Sequence, residues 1–280
     1  MIAEGSFRPE ETVVAFQDVY FSHPNGNIAL RGINFSISKG ELVSILGSNG
    51  AGKTTLVRHI NGLLKPSRGR VTVFGEDTKQ QTSARLSKRV GIVFQNPNNQ
   101  LFAQSVRKEI EFALKNFGLE DKIVSERVRG ALDDFSLTQY AERPPMELSG
   151  GEKKRLCIAL VLAWDPDILI LDEPTVGQDS EQKEKLADTI RQLLALKKNV
   201  ILVTHDVEFV WPLQPRVLLM ANGEITSDGN SQHVLGNTDF TSKASVLPPQ
   251  LVDFSKLMDL QHPYPASPDE AERVLKFNSG

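Results

Sequence analysis

Apolar-rich runs at residues 12–16 and 19–21 predict one strand interrupted near Gln17-Asp18, and Pro24-Asn25-Gly26-Asn27 signals a turn. A second strand is predicted over residues 28–37. Ser38-Lys39-Gly40 then turns the chain into the apolar run 42–46, which leads to a helix-like segment at 56–60. Residues 64–69 break the pattern, and alternation over 70–74 predicts a further strand before a turn at Gly75. A short buried-type strand at 90–94 ends at Gln95. The following Asn96-Pro97-Asn98-Asn99-Gln100 can neither continue a ladder nor open a helix cleanly, so Gln95 stands at a strand end on a loop.

From Ser105 to about Tyr140 the apolar positions Val106, Ile110, Ala113, Leu114 and Phe117 recur at mixed three and four spacing, which predicts a helical lobe inserted into the core. Pro144-Pro145 closes it. Leu148-Ser149-Gly150-Gly151-Glu152 opens another helix that runs to about Trp164. Residues 168–171 are a wholly apolar strand ending in Asp172-Glu173, followed by a loop through Asp179, a helix to about Leu196, and a buried strand at 199–203 that ends at Thr204-His205. Strand, helix and strand in alternation imply a largely parallel sheet with sites at the carboxyl ends of the strands.

Candidate chemistry concentrates at those ends. Between the apolar run 42–46 and its helix lies Gly47-Ser48-Asn49-Gly50-Ala51-Gly52-Lys53-Thr54-Thr55. A strand feeding a glycine-rich turn and then a helix N-terminus offers backbone N–H groups and a positive dipole end to polyphosphate. Lys53 is placed to reach the β- and γ-phosphates and Thr54 to hold Mg²⁺. Gly47 and Gly52 are expected because a side chain there would keep the backbone from the phosphates. The complete G-x-x-x-x-G-K-T spacing, with both flanks correct, separates this from a tight strand-to-helix turn that binds nothing. Ser149-Gly150-Gly151 at a helix start makes a second potential anion site, although alone it is an ordinary N-cap. Asp172-Glu173 at the end of a buried strand invite a metal or proton role, with capping or a salt bridge as the alternative.

Composition narrows the setting. The chain has 280 residues, 40% of them apolar, enough for one large core or a main domain with a small appendage. No run approaches the roughly 18 apolar residues of a membrane helix, so work at a membrane would pass through a partner. Met1 to Glu11 carries Glu4, Glu10 and Glu11 without an apolar core, which predicts neither a signal nor a transit peptide and a reducing cytoplasm as the compartment. The single Cys157 agrees, and its apolar-periodic surroundings predict a buried thiol. A net charge of −3 without a long basic block argues against phosphate-backbone binding as the main task, so no nucleic-acid partner is expected.

Taken in order, the loop Gly47 to Thr55, Gln95, Leu148-Ser149-Gly150-Gly151-Glu152, Asp172-Glu173, Asp179 and His205 resemble the nucleotide-binding subunits of ATP-binding-cassette transporters, over about residues 14–229. The resemblance implies an α/β P-loop NTPase fold of the cassette type: an antiparallel β subdomain, a mainly parallel core sheet, an inserted helical subdomain at about 96–165 and a small C-terminal helical extension. The cassette would span 1–230 and the extension 231–280. It also implies ATP and Mg²⁺. Lys53 and the loop amides would bind the phosphates, while Thr54 and Gln95 would ligate Mg²⁺, on which Asp172 would act mainly through water. Glu173 would be the general base. His205 would hold the γ-phosphate and orient the attacking water, a core histidine being the alternative. Leu148, Ser149, Gly150, Gly151 and Glu152 would complete the ATP site of an opposing subunit, so that two chains sandwich two ATP molecules and one chain alone is a poor ATPase.

Three departures from the family pattern stand out. His23 precedes Pro24 where an adenine-stacking aromatic, usually tyrosine, is common; an imidazole covers less area. Gln178 replaces the usual leucine before Asp179, which bears on the subunit contact there. Tyr20 or Phe21 could take the stacking role if the hairpin register differed by a few residues. A narrower likeness lies in Phe94-Gln95-Asn96-Pro97-Asn98-Asn99-Gln100-Leu101-Phe102, continuing through Glu111-Phe112 and Asn116-Phe117-Gly118-Leu119. It resembles the ATPase subunits of energy-coupling-factor importers, which take up vitamins and transition-metal ions such as cobalt and nickel. Those work at the cytoplasmic face of the cell membrane with a second ATPase subunit, identical or paralogous, a membrane T-component and a substrate-binding S-component. The segment after Gln95 would line the groove for the T-component's coupling helices. Residues 246–251 with Phe254, Leu257 and Leu260 resemble the group's appended helical piece for subunit pairing, against a disordered tail punctuated by Pro263, Pro265 and Pro268. A subunit of another ATP-binding-cassette importer or exporter shares every catalytic residue. A soluble cassette ATPase acting on DNA or the ribosome is disfavoured by the single set of motifs and the lack of a heptad run.

Overall fold

A computed structural model describes residues 12–278, in two compact units: 12–82 with 203–278, and 83–202. The expectations for Met1 to Glu11 lie outside the described residues.

The first unit begins with β1 (Thr12–Ser22), β2 (Ile28–Ser38) and β3 (Leu42–Gly47), followed by α1 (Lys53–Ile60), β4 (Arg68–Val73) and β5 (Glu76–Asp77). An antiparallel sheet has the order β2-β1-β4-β5. The interruption expected at Gln17-Asp18 is a bulge: Asp18 has φ 47° and the β1–β2 register shifts between Phe16 and Val19. Gly69 fits beneath it, where a Cβ would come within 2.1 Å of the Asp18 carbonyl oxygen.

The second unit contains α2 (Ser83–Ser87), β6 (Val90–Val93), α3 (Val106–Asn116), α4 (Asp121–Asp134), α5 (Gly150–Leu162), β7 (Ile168–Asp172), α6 (Ser180–Ala195) and β8 (Asn199–Val203). The strands follow the order β8-β7-β6, with β6 and β7 parallel. The helical stretch expected from Ser105 divides into α3 and α4 at Gly118, whose φ of 79° ends the first helix. Residues 156–161 of α5 are all buried, so the second half of that helix is apolar all round, packed on β6 and on both lobe helices. At Gly91 a Cβ would meet Val161 Cγ1 at 2.3 Å, so the glycine lets α5 lie directly on β6.

The chain then returns to the first unit with α7 (Val207–Val210), β9 (Arg216–Ala221), β10 (Glu224–Asn230), α8 (Ser231–Gly236), α9 (Thr238–Lys243), α10 (Gln250–Leu257) and α11 (Pro268–Asn278). β9 pairs in parallel with β3, and β10 antiparallel with β9. Arg216 fastens this return. Its guanidinium grips Asp228 at 2.6 Å through two nitrogens and donates to the Ser36 carbonyl at 2.8 Å. The tail is helical at α10 and α11, and its prolines stand between those helices or open the second one. Trp211 Nε1, in the body of the unit, donates to the Pro265 carbonyl at 2.8 Å. Among the described residues no helix is long and apolar enough to cross a membrane.

Candidate functional site

In the first unit, β3 is buried throughout and delivers the chain to an exposed tip at Ser48, Asn49 and Gly50. The structure adds a reason for the glycines that the sequence did not supply. A Cβ on Gly47 would stand 2.2 Å from the Met220 carbonyl oxygen of β9, and one on Gly52 would stand 2.6 Å from that of Ala29. Both obstacles belong to the protein's own backbone. Gly50 meets nothing within 4 Å, and its φ of 82° is what demands glycine. The β9–β10 turn steadies the loop, with Gly223 N–H donating to Ala51 at 3.1 Å and Arg31 N–H to Gly223 at 2.8 Å. Gly52 caps α1 from the left-handed region with no side-chain acceptor, as a helix start presented to an anion should. Lys53 is buried at 7% exposure, its ammonium donating to the Gly47 and Ser48 carbonyls at 2.7 and 3.1 Å. Thr54 and Thr55, half-buried, occupy the first turn.

His23 reaches this turn: its Nε2 lies 3.5 Å from Thr55 Oγ1, at the outer limit of a hydrogen bond. Phe21 is set edge-on between His23 and His59, and Tyr20 lies under Arg68, so of the three rings considered for adenine His23 is the one beside the loop. His205 is exposed at the end of β8, which rules out the core-histidine alternative. Thr204 N–H donates to Ile45 of β3 at 3.2 Å and Thr204 Oγ1 accepts from Asp206 N–H at 3.1 Å, so His205 stands beside the strand that feeds the loop. The histidine in the core is His59. Burial, the largest cause, pushes its pKa below the usual value, against a 2.8 Å hydrogen bond from Nδ1 to the Thr55 carbonyl.

In the second unit, Gln95 is exposed just beyond β6, while Asp172 and Glu173 are buried at the end of β7. Glu173 has φ 49°, a left-handed conformation that a non-glycine residue holds only when its surroundings impose it. A residue that sequence reasoning passed over meets it there: the Lys154 ammonium donates to the carbonyls of Gln95 at 2.9 Å and Glu173 at 3.0 Å. Leu148 is buried, whereas Ser149 and Gly150 are exposed at the start of α5. A complete capping box joins Ser149 and Glu152, with Ser149 N–H donating to the carboxylate at 2.7 Å. The Tyr140 hydroxyl foremost, then Ser149, pulls the Glu152 carboxyl down to about 2. At Gly151 a Cβ would meet the end of the Gln182 side chain, Oε1 at 2.7 Å, an obstacle that can swing aside. Asp179 is exposed and caps α6, accepting from Gln182 N–H at 2.8 Å, beside a half-buried Gln178.

Among the described residues no cluster of three or more His, Cys, Asp or Glu could cage a metal ion. The oxygen donors expected for Mg²⁺ are the half-buried Thr54 hydroxyl in the first unit and, in the second, the exposed Gln95 amide and the buried Asp172 carboxylate.

A family profile described as ABC transporter matches residues 30–176. A Methanocaldococcus jannaschii protein named energy-coupling factor transporter ATP-binding protein EcfA is 37% identical over 249 residues, covering 88% of this chain and 89% of its own length. Among solved structures, CbiO1 of Clostridium perfringens, described as part of the ABC transporter complex CbiONQ, gives a TM-score of 0.73 at 34% identity, covering 90% of this chain and 100% of its own. A dimeric ATP-binding cassette in a post-hydrolysis state bound to ADP and Pi gives 0.71 at 29% identity, covering 78% of this chain and 98% of its own.

Proposed function

Since this chain belongs to the ABC transporter ATP-binding family, as an ATP hydrolase coupled to transport, we propose that it energises an energy-coupling-factor importer of a micronutrient, a vitamin or a transition-metal ion such as cobalt or nickel. In this reading it sits peripherally at the cytoplasmic face of the membrane, paired with an identical or paralogous ATPase subunit and docked on T- and S-components. Gly47 to Thr55 bind the phosphates and His23 stacks on the base. Thr54, Gln95 and Asp172 would hold the nucleotide's Mg²⁺, which would neutralise phosphate charge. Glu173 takes a proton from the attacking water, which His205 orients, and residues 148–152 serve the opposing subunit's ATP. Residues 231–280 form the pairing extension, a role supported by exposed Leu247 and Leu257.

The observation that carries the narrower assignment is an apolar groove in the second unit, just beyond Gln95. Phe102 and Phe112 are 68% and 49% exposed and meet edge-on at 5.0 Å, over a cavity of about 400 Å³ lined also by Phe117, Leu160 and Trp164. Exposed aromatics around a concavity suit an inserted apolar helix.

Two measurements test the proposal. Glu173→Gln should bind ATP, hydrolyse it slowly and form an ATP-dependent dimer in sizing chromatography; normal turnover would remove Glu173 as the base. The chain should copurify with T- and S-components and lose them on Phe102→Glu. Copurification with a classical permease pair and a periplasmic or lipid-anchored binding protein would reject the narrower assignment.

A further inference from the structure

Lys154 lies on α5, just over one turn after Ser149, and is only 3% exposed. Burying an ammonium is unfavourable unless its donors are satisfied. Here they reach no carboxylate but two main-chain carbonyls, those of Gln95 at 2.9 Å and Glu173 at 3.0 Å. These carbonyls are 59 and 19 residues away in sequence, and they belong to the two residues proposed to flank the reacting phosphate on this unit.

Both residues need outside support. Gln95 lies two residues beyond Val93, the last paired residue of β6, and precedes an Asn96-capped single 3₁₀ turn, so no ladder fixes its backbone. Glu173 is in the left-handed region, where the carbonyl orientation must be held against the residue's own preference. A neutral amide at 154 could satisfy both carbonyls too, but its fork is fixed, whereas an ammonium has three donors on a flexible stem. The site tolerates the charge: burial lowers the Lys154 pKa, while Cys157, Asp172 and Glu173 oppose that shift.

We propose that Lys154 is a positioning residue for hydrolysis, fixing the Gln95 and Glu173 backbones relative to each other so that the side chains of both meet the nucleotide together. The inference rests on Glu173 being the general base. It does not require Lys154 to touch ATP.

The test compares the full-length parent chain with Lys154→Met, Gln95→Ala, Glu173→Gln and the Gln95→Ala/Lys154→Met double variant. Phosphate release gives kcat and KM, titration with a fluorescent ATP analogue gives affinity, and thermal melting gives the folded fraction. Lys154→Met should lower kcat by about 100-fold, the scale of a misplacement near 1 Å, while ATP affinity stays within about twofold of the parent. In the Gln95→Ala background the same change should lower kcat less than it does in the parent, because only the Glu173 half of what Lys154 positions is left to lose. Should Lys154→Met not fold, Lys154→Gln is measured in its place: its shorter, fixed amide keeps donors for the two carbonyls, so kcat should fall by less than 100-fold but clearly below the parent, again at the parent's ATP affinity. A kcat that is unchanged after correction for folded fraction, or a loss that multiplies independently with that of Gln95→Ala, would make Lys154 merely structural and overturn the proposal. Turnover retained in Glu173→Gln would instead remove the reading on which it rests.

Discussion

Gly47→Ala should cripple the phosphate loop through a backbone collision. The new Cβ would stand 2.2 Å from the Met220 carbonyl oxygen and 3.1 Å from its carbon. Real Cβ contacts stop near 3.0 Å, so something must shift by roughly 0.8 Å. Met220 lies in β9, paired with β3 from Val43↔Arg216 to Gly47↔Met220, and is fully buried, so the loop is what gives way. That displaces the Gly47 carbonyl on which the Lys53 ammonium rests at 2.7 Å. Overpacking of this kind costs about 1–3 kcal/mol, and a displacement approaching 1 Å at a reacting group costs about 100-fold in rate. Gly50→Ala separates collision from backbone strain, because Gly50 has φ 82° but no atom within 4 Å of its built Cβ. It should lose only the left-handed penalty of about 1–2 kcal/mol. Urea unfolding midpoints of the two variants, with ATP affinity of each, decide the matter. A Gly47→Ala protein with the parent's midpoint and ATP affinity would show that the Met220 carbonyl does not set the loop.

Three further expectations follow from buried groups. Because His59 is held below its usual pKa of 6.5, the folded protein takes up a proton there less readily than the unfolded chain. Its contribution is therefore complete above pH 6.5 and is lost as pH falls below that value, and His59→Phe should flatten stability against pH in urea titrations across that window; an unaltered slope would contradict this. Cys157 is fully buried with its thiol pushed up to about 12, so labelling by a thiol reagent should track global unfolding, and prompt labelling of native protein would refute the burial. Glu109→Ala removes the acceptor for the Phe102 and Ala103 N–H groups, at 2.8 and 2.7 Å, and should cost about 1–3 kcal/mol and speed proteolysis near residue 102; unchanged cleavage would discount the anchor.

How much of this was legible in the sequence depends on how local each cause is. The strand, loop and helix from Leu42 to Ile60 and the wholly buried strands β7 and β8 follow from short-range patterns, as does the cap at Ser149. β9 does not: its apolar run carries no mark of lying beside β3, some 170 residues earlier, and so the reason for Gly47 was invisible too. The interruption at Gln17-Asp18 was readable, but its fit over Gly69 was not. Periodicity places Lys154 on a helix and stays silent on whether its head reaches water or two distant carbonyls. The same limit left His205 open between core and surface and gave no hint that His59 was the buried imidazole.

Glu109 and Lys154 are buried charges of opposite sign on α3 and α5, and each is satisfied by main-chain groups. Glu109 accepts the N–H groups at Phe102 and Ala103, and Lys154 donates to the carbonyl of Gln95. The segment 95–103 is thus pinned at both ends by ionic groups that helices carry, with its middle closed by the 3₁₀ turn Pro97–Asn99 and by Lys153 Nζ donating to Asn98 Oδ1 at 3.2 Å. A loop so held cannot absorb a displacement at Phe102 by local slack, since charge-assisted bonds are the stronger ones and an orphaned buried charge is penalised heavily. In the proposed importer Phe102 faces the membrane partner and Gln95 the nucleotide. The same two charges that make the segment stable in isolation would then oblige movement at one end to appear at the other.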